Sequence, residues 1–350
     1  MTLLTELSVR LPIIQAPMAG VSTPVLAATV SNAGALGSIG VGATNSAGAA
    51  AMIDEVRRLT TATFNVNVFV HAPPRRDLDR EATWLNALKP LFETFSAELP
   101  PSLTTIYRSF AEDDDMLRLM IDRAPPVVSF HFGLPDEQKV RALKQAGCLL
   151  MSTATSLDEA LAAKRGGMDA VVAQGYEAGG HRGVFDPDGE DAQLGTLPLT
   201  RMLVQNCGLP VIAAGGVMDG RGVRAVLDLG AVAAQLGTAF IGCPESAADE
   251  AYRAVLRSES AHHTIMTKAI SGRPARCLRN GFTLWGMTAS VSAPDYPVAY
   301  DAGKALNAAA KATGNGDFGA QWAGQGAPLA RSLPARDLID TLERELVAAD

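Results

Sequence analysis

Short apolar runs alternate with longer amphipathic stretches over the first two-thirds of the chain. Each run is rich in aliphatic residues, and glycine, proline or a helix-capping residue commonly bounds it, which is typical of strands buried on both faces. The predicted strands are Pro12–Met18, Ala35–Val41, Phe64–Phe69, Pro126–Gly133, Cys148–Thr153, Met168–Ala173, Pro210–Ala214 and Ala233–Phe240. The predicted helices between them include Val25–Ala33, Ala49–Leu59, Asp136–Ala146, Leu157–Arg165, Leu197–Asn206 and Asp219–Leu229.

This alternation predicts an α/β fold in which eight parallel strands form a (β/α)8 TIM barrel. Each connection is long enough for a right-handed return to the next parallel strand. A doubly wound open sheet is the rival architecture. It is less favoured because Gly37, Gly40 and Gly42 do not have the G-x-G-x-x-G spacing expected after the first strand.

The alternation of apolar runs and amphipathic stretches ends after Cys243, which suggests that the chain is divided into three regions. We expect a barrel over residues 1–243, a mainly helical region over the barrel mouth at 244–333, and a C-terminal helix at 334–350 that returns to the barrel. Within the middle region the sequence predicts helices at Glu245–Ser260 and Pro294–Ala312, a polar and basic stretch at Ile270–Asn280 and a glycine-rich stretch at Gly314–Gly326.

Composition excludes several classes of partner. The 350 residues carry a formal charge of −7 and no cluster of Lys or Arg, which argues against nucleic acid or an anionic membrane surface. Glu6 and Arg10 interrupt the apolar N-terminal stretch where a signal peptide would need an unbroken core. The four cysteines form no C-x-x-C pair, so we expect reduced thiols and a cytoplasmic protein. A homodimer is compatible with the sequence, which carries no signal for oligomeric state.

The loop at Gln174–Gly183, QGYEAGGHRG, directly follows a predicted strand. Its glycines allow a tight turn and bring backbone N–H groups close to an anion, and His181 lies among them. We therefore predict a phosphate-bearing cofactor beside a proton-transfer group. The alternative is a surface turn with an incidental histidine.

Amide side chains and further glycines fall at the predicted strand ends, where barrel enzymes place their functional groups. These residues are Gln15, Asn67, His131, Gln174, Gly215, Gly216 and Gln235. Amides facing a flat heteroaromatic ring, with phosphate bound by the last two strand loops, favour flavin mononucleotide (FMN). Pyridoxal phosphate is the competitor, but it needs a lysine at a strand end and no predicted strand carries one.

Other chemistry is less well supported. The five histidines lack chelating spacing, so no metal site is predicted, and no G-x-S-x-G nucleophile motif occurs. Tyr296, Tyr300 and Lys304 recur every four residues, which would place them on one helix face toward the substrate or on an exposed stripe. Tyr107 lies in a polar segment whose elements are hard to predict.

Seven stretches together resemble the nitronate monooxygenases, the group once called 2-nitropropane dioxygenases. They are QAPMAG, NVNVF, SFHFGLP, QGYEAGGHRG, PVIAAGG, AAQLGTAF and PDYPVAYDAGKAL, which span nearly the whole chain. The glycine-histidine loop alone is similar to that of flavin-dependent enoyl-thioester and quinone reductases. SFHFGLP and the Tyr-Tyr-Lys helix are more specific and resemble the class I enzymes.

The resemblance implies an FMN enzyme that oxidises alkyl nitronates, notably propionate 3-nitronate, with O2 and without NAD(P)H. In that family the nitronate gives one electron to the flavin, and oxygen then combines with the resulting radicals to give a carbonyl compound and nitrite or nitrate. FMN contacts are then expected at Ala16, Pro17, Met18, Asn67, Gln174, Gly179, Gly180, Gly215, Gly216, Gln235, Leu236, Gly237 and Thr238. The substrate side is expected at His131, His181, Lys304, Tyr107, Tyr296 and Tyr300.

A nitronate is already anionic, so its site needs donors and cations more than a strong base. His181 would be the base if neutral nitroalkanes are used, and His131 is either a substrate-side group or a buried histidine bonded to a neighbouring strand. Two rival functions remain. One is an NAD(P)H-dependent quinone or enoyl-thioester reductase on the same barrel, and the other is a non-catalytic barrel that binds flavin.

Overall fold

Eight parallel strands form a barrel in the computed structural model, which describes residues 3–349. The barrel strands are β1 Ile13–Gln15, β2 Gly37–Gly40, β3 Phe64–Phe69, β4 Val127–His131, β5 Leu149–Ala154, β6 Ala170–Gln174, β8 Val211–Ala214 and β9 Ala233–Leu236. Three further strands, β7 Gly180–His181, β10 Thr264–Thr267 and β11 Ala275–Leu278, form a separate sheet. The predicted eight-stranded TIM barrel is confirmed.

Helices connect and cover these strands. They are α1 Leu3–Glu6, α2 Pro24–Asn32, α3 Ser46–Leu59, α4 Leu78–Thr94, α5 Asp114–Arg123, α6 Glu137–Gln145, α7 Leu157–Arg165, α8 Thr196–Asn206, α9 Gly220–Asp228, α10 Thr238–Ile241, α11 Glu250–Leu256, α12 Gly281–Thr288, α13 Val298–Ala312 and α14 Ala335–Val347. Short 3-10 turns lie at Phe110–Glu112, Glu259–His262 and Ala327–Leu329. No helix within residues 3–349 is long and apolar enough to cross a membrane.

The barrel closes between its first two strands. Neighbouring strands follow the order β1-β9-β8-β6-β5-β4-β3-β2, and a parallel bridge between Ile14 and Leu36 joins the two ends. The backbone N–H of Gln15 donates to the carbonyl of Leu36 at 2.9 Å, and the N–H of Leu36 donates to the carbonyl of Ile13 at 3.0 Å. Closure leaves no open edge in this sheet and gathers all eight strand ends into one rim.

Side-chain caps fix where the outer helices begin. Asn45 accepts from the N–H of Gly48 at 2.9 Å, and Ser156 accepts from the N–H of Glu159 at 3.2 Å. Such caps satisfy backbone donors that the first helical turn leaves free. The helices therefore start close to their predicted positions, and each strand delivers its last residue to the same end of the barrel.

The C-terminal helix α14 packs against α2 and α9 on the outside of the barrel. Leu338 and Leu342 are buried there with Leu26 and Val223 in one apolar cluster. Because its apolar residues recur at helical spacing, α14 has a single face to bury. That face lies against α2 and α9.

Several predicted elements differ in the structure, among them the predicted helix Pro294–Ala312, which begins only at Val298. The predicted strand Ala233–Phe240 ends at Leu236, and α10 begins two residues later because the chain turns at Gly237 to present its backbone to the barrel mouth. The predicted helix Glu245–Ser260 is shortened to α11, whose start is set by Asp249 accepting from the N–H of Tyr252 at 2.8 Å. The region expected to be mainly helical also contains β10 and β11.

Candidate active site

A cavity of about 620 Å³ lies at the carboxyl ends of the barrel strands. This volume is within the usual range for a small-molecule or cofactor site. Its lining includes every predicted site residue except Leu236 and Gln15. Gln15 is buried beneath the cavity lining, where its Nε2 donates to Ser22 Oγ at 2.8 Å and its Oε1 accepts from the N–H of Ser38 at 2.9 Å. Leu236 is buried in the apolar layer between barrel and helices, because successive residues of a strand face opposite sides and Gln235 takes the side toward the cavity.

Glycine loops after β6, β8 and β9 form one end of the cavity. Gly180, Gly215 and Gly216 have φ values of +74°, +123° and +71°, a region that other residues rarely adopt. Thr196 holds the turn, since its hydroxyl donates to the carbonyl of Gly215 at 2.9 Å. With Gly237 and Thr238 beside them, these loops expose backbone to the cavity as phosphate-binding loops do.

The chain at 322–326 crosses directly over the loop after β6. A Cβ atom on Gly179 would lie 2.4 Å from the backbone nitrogen of Gly324, so only glycine fits. The N–H of Gly324 donates to the hydroxyl of Thr238 at 3.0 Å, and the N–H of Gln325 donates to the carbonyl of Glu177 at 2.9 Å. This segment therefore closes the glycine end of the cavity.

The side-chain amides predicted for the site differ in how many of their hydrogen-bonding groups already have a partner. The carboxamide of Gln235 forms no hydrogen bond with any residue of 3–349, and Asn67 uses only its Nδ2, which donates to Ser129 Oγ at 2.9 Å. Gln174 is fully engaged, since its Nε2 donates to the carbonyl of His181 at 3.0 Å and its Oε1 accepts from the N–H of Gly183 at 2.7 Å. Gln174 thus shapes the loop, whereas Gln235 and the Asn67 oxygen remain available to a ligand.

The two histidines of the cavity are bonded differently. The Nε2 of His131 faces the carbonyl of His181 at 3.1 Å, and its Nδ1 lies 2.9 Å from the hydroxyl of Thr153 on β5. A carbonyl can only accept, so Nε2 carries the proton and Nδ1 accepts from Thr153. Burial lowers the pKa of His131 to about 4, which keeps the ring neutral. This is the neighbouring-strand arrangement that the sequence left open.

His181 keeps one ring nitrogen free. Its Nε2 lies 2.9 Å from the hydroxyl of Ser271, and its Nδ1 has no hydrogen-bond partner among residues 3–349. When the Ser271 hydroxyl donates to the carbonyl of Arg273, at 3.2 Å, Nε2 of His181 carries the proton and Nδ1 presents a lone pair. Burial lowers the pKa of His181 to about 3.

Three tyrosines form an aromatic part of the cavity wall. Tyr296 and Tyr300 contact His181, with ring centroids 5.4 and 6.1 Å apart, and Tyr296 also contacts Phe132 at 5.4 Å. Tyr107 packs against these two tyrosines at 6.3 and 6.0 Å. Burial raises the pKa of Tyr107 to about 12 and raises the pKa values of Tyr296 and Tyr300, so their hydroxyls stay protonated. The prediction that one helix face carries both tyrosines was wrong for Tyr296, because α13 begins only at Val298, after Pro297.

Lys304 extends from α13 to the mouth of the cavity. Its Nζ lies 4.7 Å from the centroid of the Tyr107 ring and 5.6 Å from that of Tyr300. It forms no ion pair with any carboxylate of residues 3–349, and partial burial lowers its pKa. No Asp or Glu from the described part of the chain lines the cavity, so Lys304 is its only formally charged side chain.

Sequence reasoning missed several residues of the site. Thr153 and Ser271 bind the histidines, Phe132 packs between them, and Trp322 lines the cavity with its ring 5.0 Å from that of His181. Phe132 was within a recognised stretch, and an isolated tryptophan inside a glycine-rich segment was a signal for Trp322. No three or more His, Cys, Asp or Glu of residues 3–349 are grouped to hold a metal ion.

Comparison with known proteins agrees with this architecture. The nitronate monooxygenase family model matches residues 1–345. A nitronate monooxygenase of Paraburkholderia phytofirmans is 56% identical over 98% of this chain and 94% of its own length, and one of Pseudomonas aeruginosa is 54% identical over 97% of each. The structure of a nitroalkane oxidase from Streptomyces ansochromogenes superposes with a TM-score of 0.90 at 40% identity, covering 99% of both chains. The chain therefore belongs to the nitronate monooxygenase family of flavin-dependent oxidoreductases.

Proposed function

We propose that this chain binds FMN and oxidises alkyl nitronates, such as propionate 3-nitronate, with O2 and without NAD(P)H. The products would be a carbonyl compound and nitrite or nitrate. The observation that carries the proposal is the charge of the cavity, whose described lining contains no carboxylate and one ammonium, that of Lys304. Such a lining favours a small anion over a neutral molecule or a cation.

FMN fits the residues at the inner part of the cavity. Gly215, Gly216 and Thr238 would hold the phosphate, and the unpaired Gln235 carboxamide and the Asn67 oxygen would face the ring system. When bound, FMN supplies the acceptor for the electron that the nitronate gives up. The aromatic wall of the cavity would exclude water from the space between the ring and the substrate.

The remaining groups would hold the substrate. The ammonium of Lys304 and the protonated hydroxyls of Tyr107 and Tyr300 can donate to nitronate oxygens. His131 would act through the loop, since its Nε2–H holds the carbonyl of His181 and both of its ring nitrogens are occupied. His181 would contact the substrate through its free Nδ1.

The low pKa of His181 also favours a nitronate over a neutral nitroalkane. A general base works best when its pKa is close to the working pH, and a histidine with a pKa of about 3 has little driving force to remove a carbon-bound proton. A nitronate has already lost that proton. We therefore propose that neutral nitroalkanes are at most slow substrates.

Anaerobic mixing tests the proposed function against its closest rival. Adding propionate 3-nitronate to the flavin-loaded protein should bleach the flavin absorbance, whereas NADH should cause little change on the same time scale. Bleaching by NADH alone would instead indicate a quinone or enoyl-thioester reductase. If oxygen uptake also fails to rise after a nitronate is added in air, the barrel binds flavin without this catalysis.

Replacing Lys304 by methionine should lower kcat/KM for a nitronate about tenfold, because a charge-assisted hydrogen bond contributes roughly 1.5 kcal/mol and exposure to solvent reduces this. FMN should remain bound, since Lys304 lies at the mouth. Lys311→Met is the matched control, because Lys311 lies on the same helix and pairs with Asp249 on the surface. Equal losses in the two variants would show that the helix, and not the cavity charge, is responsible.

A further inference from the structure

A second cation, Arg273, lies behind the wall of the cavity. It precedes β11 and is only 3% exposed. Its guanidinium donates to the carbonyl of Val184, while its Nε has no hydrogen-bond partner among residues 3–349. It forms no ion pair with a carboxylate in that range. Burying a guanidinium without a counter-ion lowers the stability of the folded protein. Such a residue is therefore a candidate for a functional role.

Phe132 separates Arg273 from the cavity. The guanidinium carbon of Arg273 lies 4.2 Å from the centroid of the Phe132 ring. On its other sides that ring contacts His131 at 4.5 Å, His181 at 5.6 Å and Tyr296 at 5.4 Å between centroids. Phe132 also has a φ of +79°, a strained value for a side chain of this size, so packing from both sides holds it in place.

The charge of Arg273 is only partly offset by its surroundings, because the carboxylates that act on it form no ion pair with it. The neighbouring cation Arg182 is neutralised by a bidentate ion pair with Asp191. Of the carboxylates that influence Arg273, Asp188 pairs with Arg75 and Lys268, and Glu159 accepts from the backbone N–H groups of Thr155 and Phe185. Asp186, the third, accepts from the N–H of Asp188 at 3.0 Å.

The histidines nearest to Arg273 carry no compensating or competing charge. These are His131, His181 and His71, whose ring also contacts Phe132. Burial lowers the pKa of all three, and the positive charge of Arg273 lowers it further. Tyr296 stays protonated. The guanidinium is therefore the only full charge on this side of the cavity among the described residues that face Phe132.

We propose that Arg273 is a positioning residue that selects the anionic nitronate over the neutral nitroalkane, acting across Phe132 without touching the substrate. The inference rests on the proposed function and extends it to substrate selection. The two ring contacts put the guanidinium within about 10 Å of the His181 ring. Salt screens a buried charge much less than an exposed one, so its field reaches across this distance. At an effective dielectric constant of about 20, one charge over that distance changes the affinity for an anion about tenfold.

The test compares Arg273→Met, which keeps an apolar stem against Phe132, with Arg273→Lys, which keeps the charge. For each variant, kcat/KM would be measured with an alkyl nitronate, and the dissociation constant of the parent neutral nitroalkane by calorimetry. We expect Arg273→Met to lose about tenfold with the nitronate and to bind the nitroalkane as before, with Arg273→Lys largely restoring the nitronate value. An equal loss for both molecules in Arg273→Met, or no rescue by lysine, would overturn the proposal.

Arg276→Met is the matched control. Arg276 lies on β11, is also 3% exposed, and stacks over Tyr176 at 4.8 Å, away from Phe132. Its loss should not change the preference for the anion, even if the protein becomes less stable. A shift in that preference as large as the one in Arg273→Met would show that burying any arginine here has the same effect, which contradicts the proposal.

A spectroscopic measurement separates failure of this inference from failure of the proposed function. With 15N-labelled histidine, NMR titration of the holoenzyme should show the pKa values of His131 and His181 rising in Arg273→Met but not in Arg273→Lys or Arg276→Met. Unchanged histidine pKa values would overturn the inference even where nitronates are oxidised. If the unmodified protein does not oxidise nitronates, the proposed function fails and the selection inference fails with it.

Discussion

Gly179→Val should yield a folded protein that no longer retains FMN. A Cβ atom at this position would lie 2.4 Å from the backbone nitrogen of Gly324 and 2.5 Å from the carbonyl carbon of Ala323, and neither atom belongs to a side chain that could rotate away. Either the loop after β6 or the segment above it must move. Both movements displace backbone that lines the cavity, so we expect the affinity for FMN to fall more than a hundredfold, by roughly 3 kcal/mol.

The ratio of flavin absorbance to protein concentration after gel filtration measures this loss, and far-UV circular dichroism checks the fold. Gly147→Val is the control, because Gly147 also resists substitution, with a φ of +88°, but nothing lies within 4 Å of its Cβ position. Its cost should be backbone strain of about 1–2 kcal/mol with FMN retained. A Gly179→Val protein that keeps a full complement of FMN would contradict the assignment of this loop to the cofactor.

His181→Asn should lower the already slow kcat/KM for a neutral nitroalkane about a hundredfold, the low end of what a positioned base contributes, because a pKa of about 3 matches the working pH poorly. The Nδ1 of His181 is the only imidazole nitrogen without a partner among the two histidines that line the described cavity. A nitronate needs no proton removed, so its kcat/KM should change by less than about fivefold. Steady-state oxygen consumption with the two forms of one substrate measures both values.

The pH dependence of activity is a second test of the role of His181. Because the pKa of His181 is about 3, well below the usual value for histidine, the ring stays unprotonated through neutral and mildly acidic pH. The activity with neutral nitroalkanes should therefore not fall with a pKa near 6.5. His131→Asn serves for comparison, since loss of its bond to the loop should affect both substrate forms equally. A larger loss of activity in His131→Asn with the neutral nitroalkane than with the nitronate would show that His131, and not His181, is the base.

The barrel could be predicted from the sequence because its strands and helices are indicated by patterns among neighbouring residues. The run at 170–173 is apolar throughout, since helices cover one face of the strand and the barrel interior covers the other, and caps such as Ser156 mark helix starts. Strand ends then follow from topology, so residues as distant as Asn67 and Gln235 were expected in one cavity, and the structure places them there.

The region after the barrel was harder to predict because its contacts are distant in sequence. The stretch containing Arg273 and Arg276 was predicted only to be polar and basic, whereas both side chains are buried and donate to carbonyls of the loop after β6. The residues next to Arg273 and Arg276 in the sequence do not indicate partners so distant along the chain. Likewise, the spacing of Tyr296 and Tyr300 fits a helix, but Pro297 between them sets where α13 begins.

The sheet formed by β7, β10 and β11 means that the barrel could not be trimmed to a minimal catalyst. His181 lies on β7, opposite Ala275 of β11, and its Nε2 contacts Ser271 of the same late segment. An excised product ending near residue 243 would keep the strands and most of the glycine loops but would lose the scaffold that orients this imidazole. Exchange of whole C-terminal segments between homologues is then the natural way to re-engineer the site, with the barrel as a constant frame.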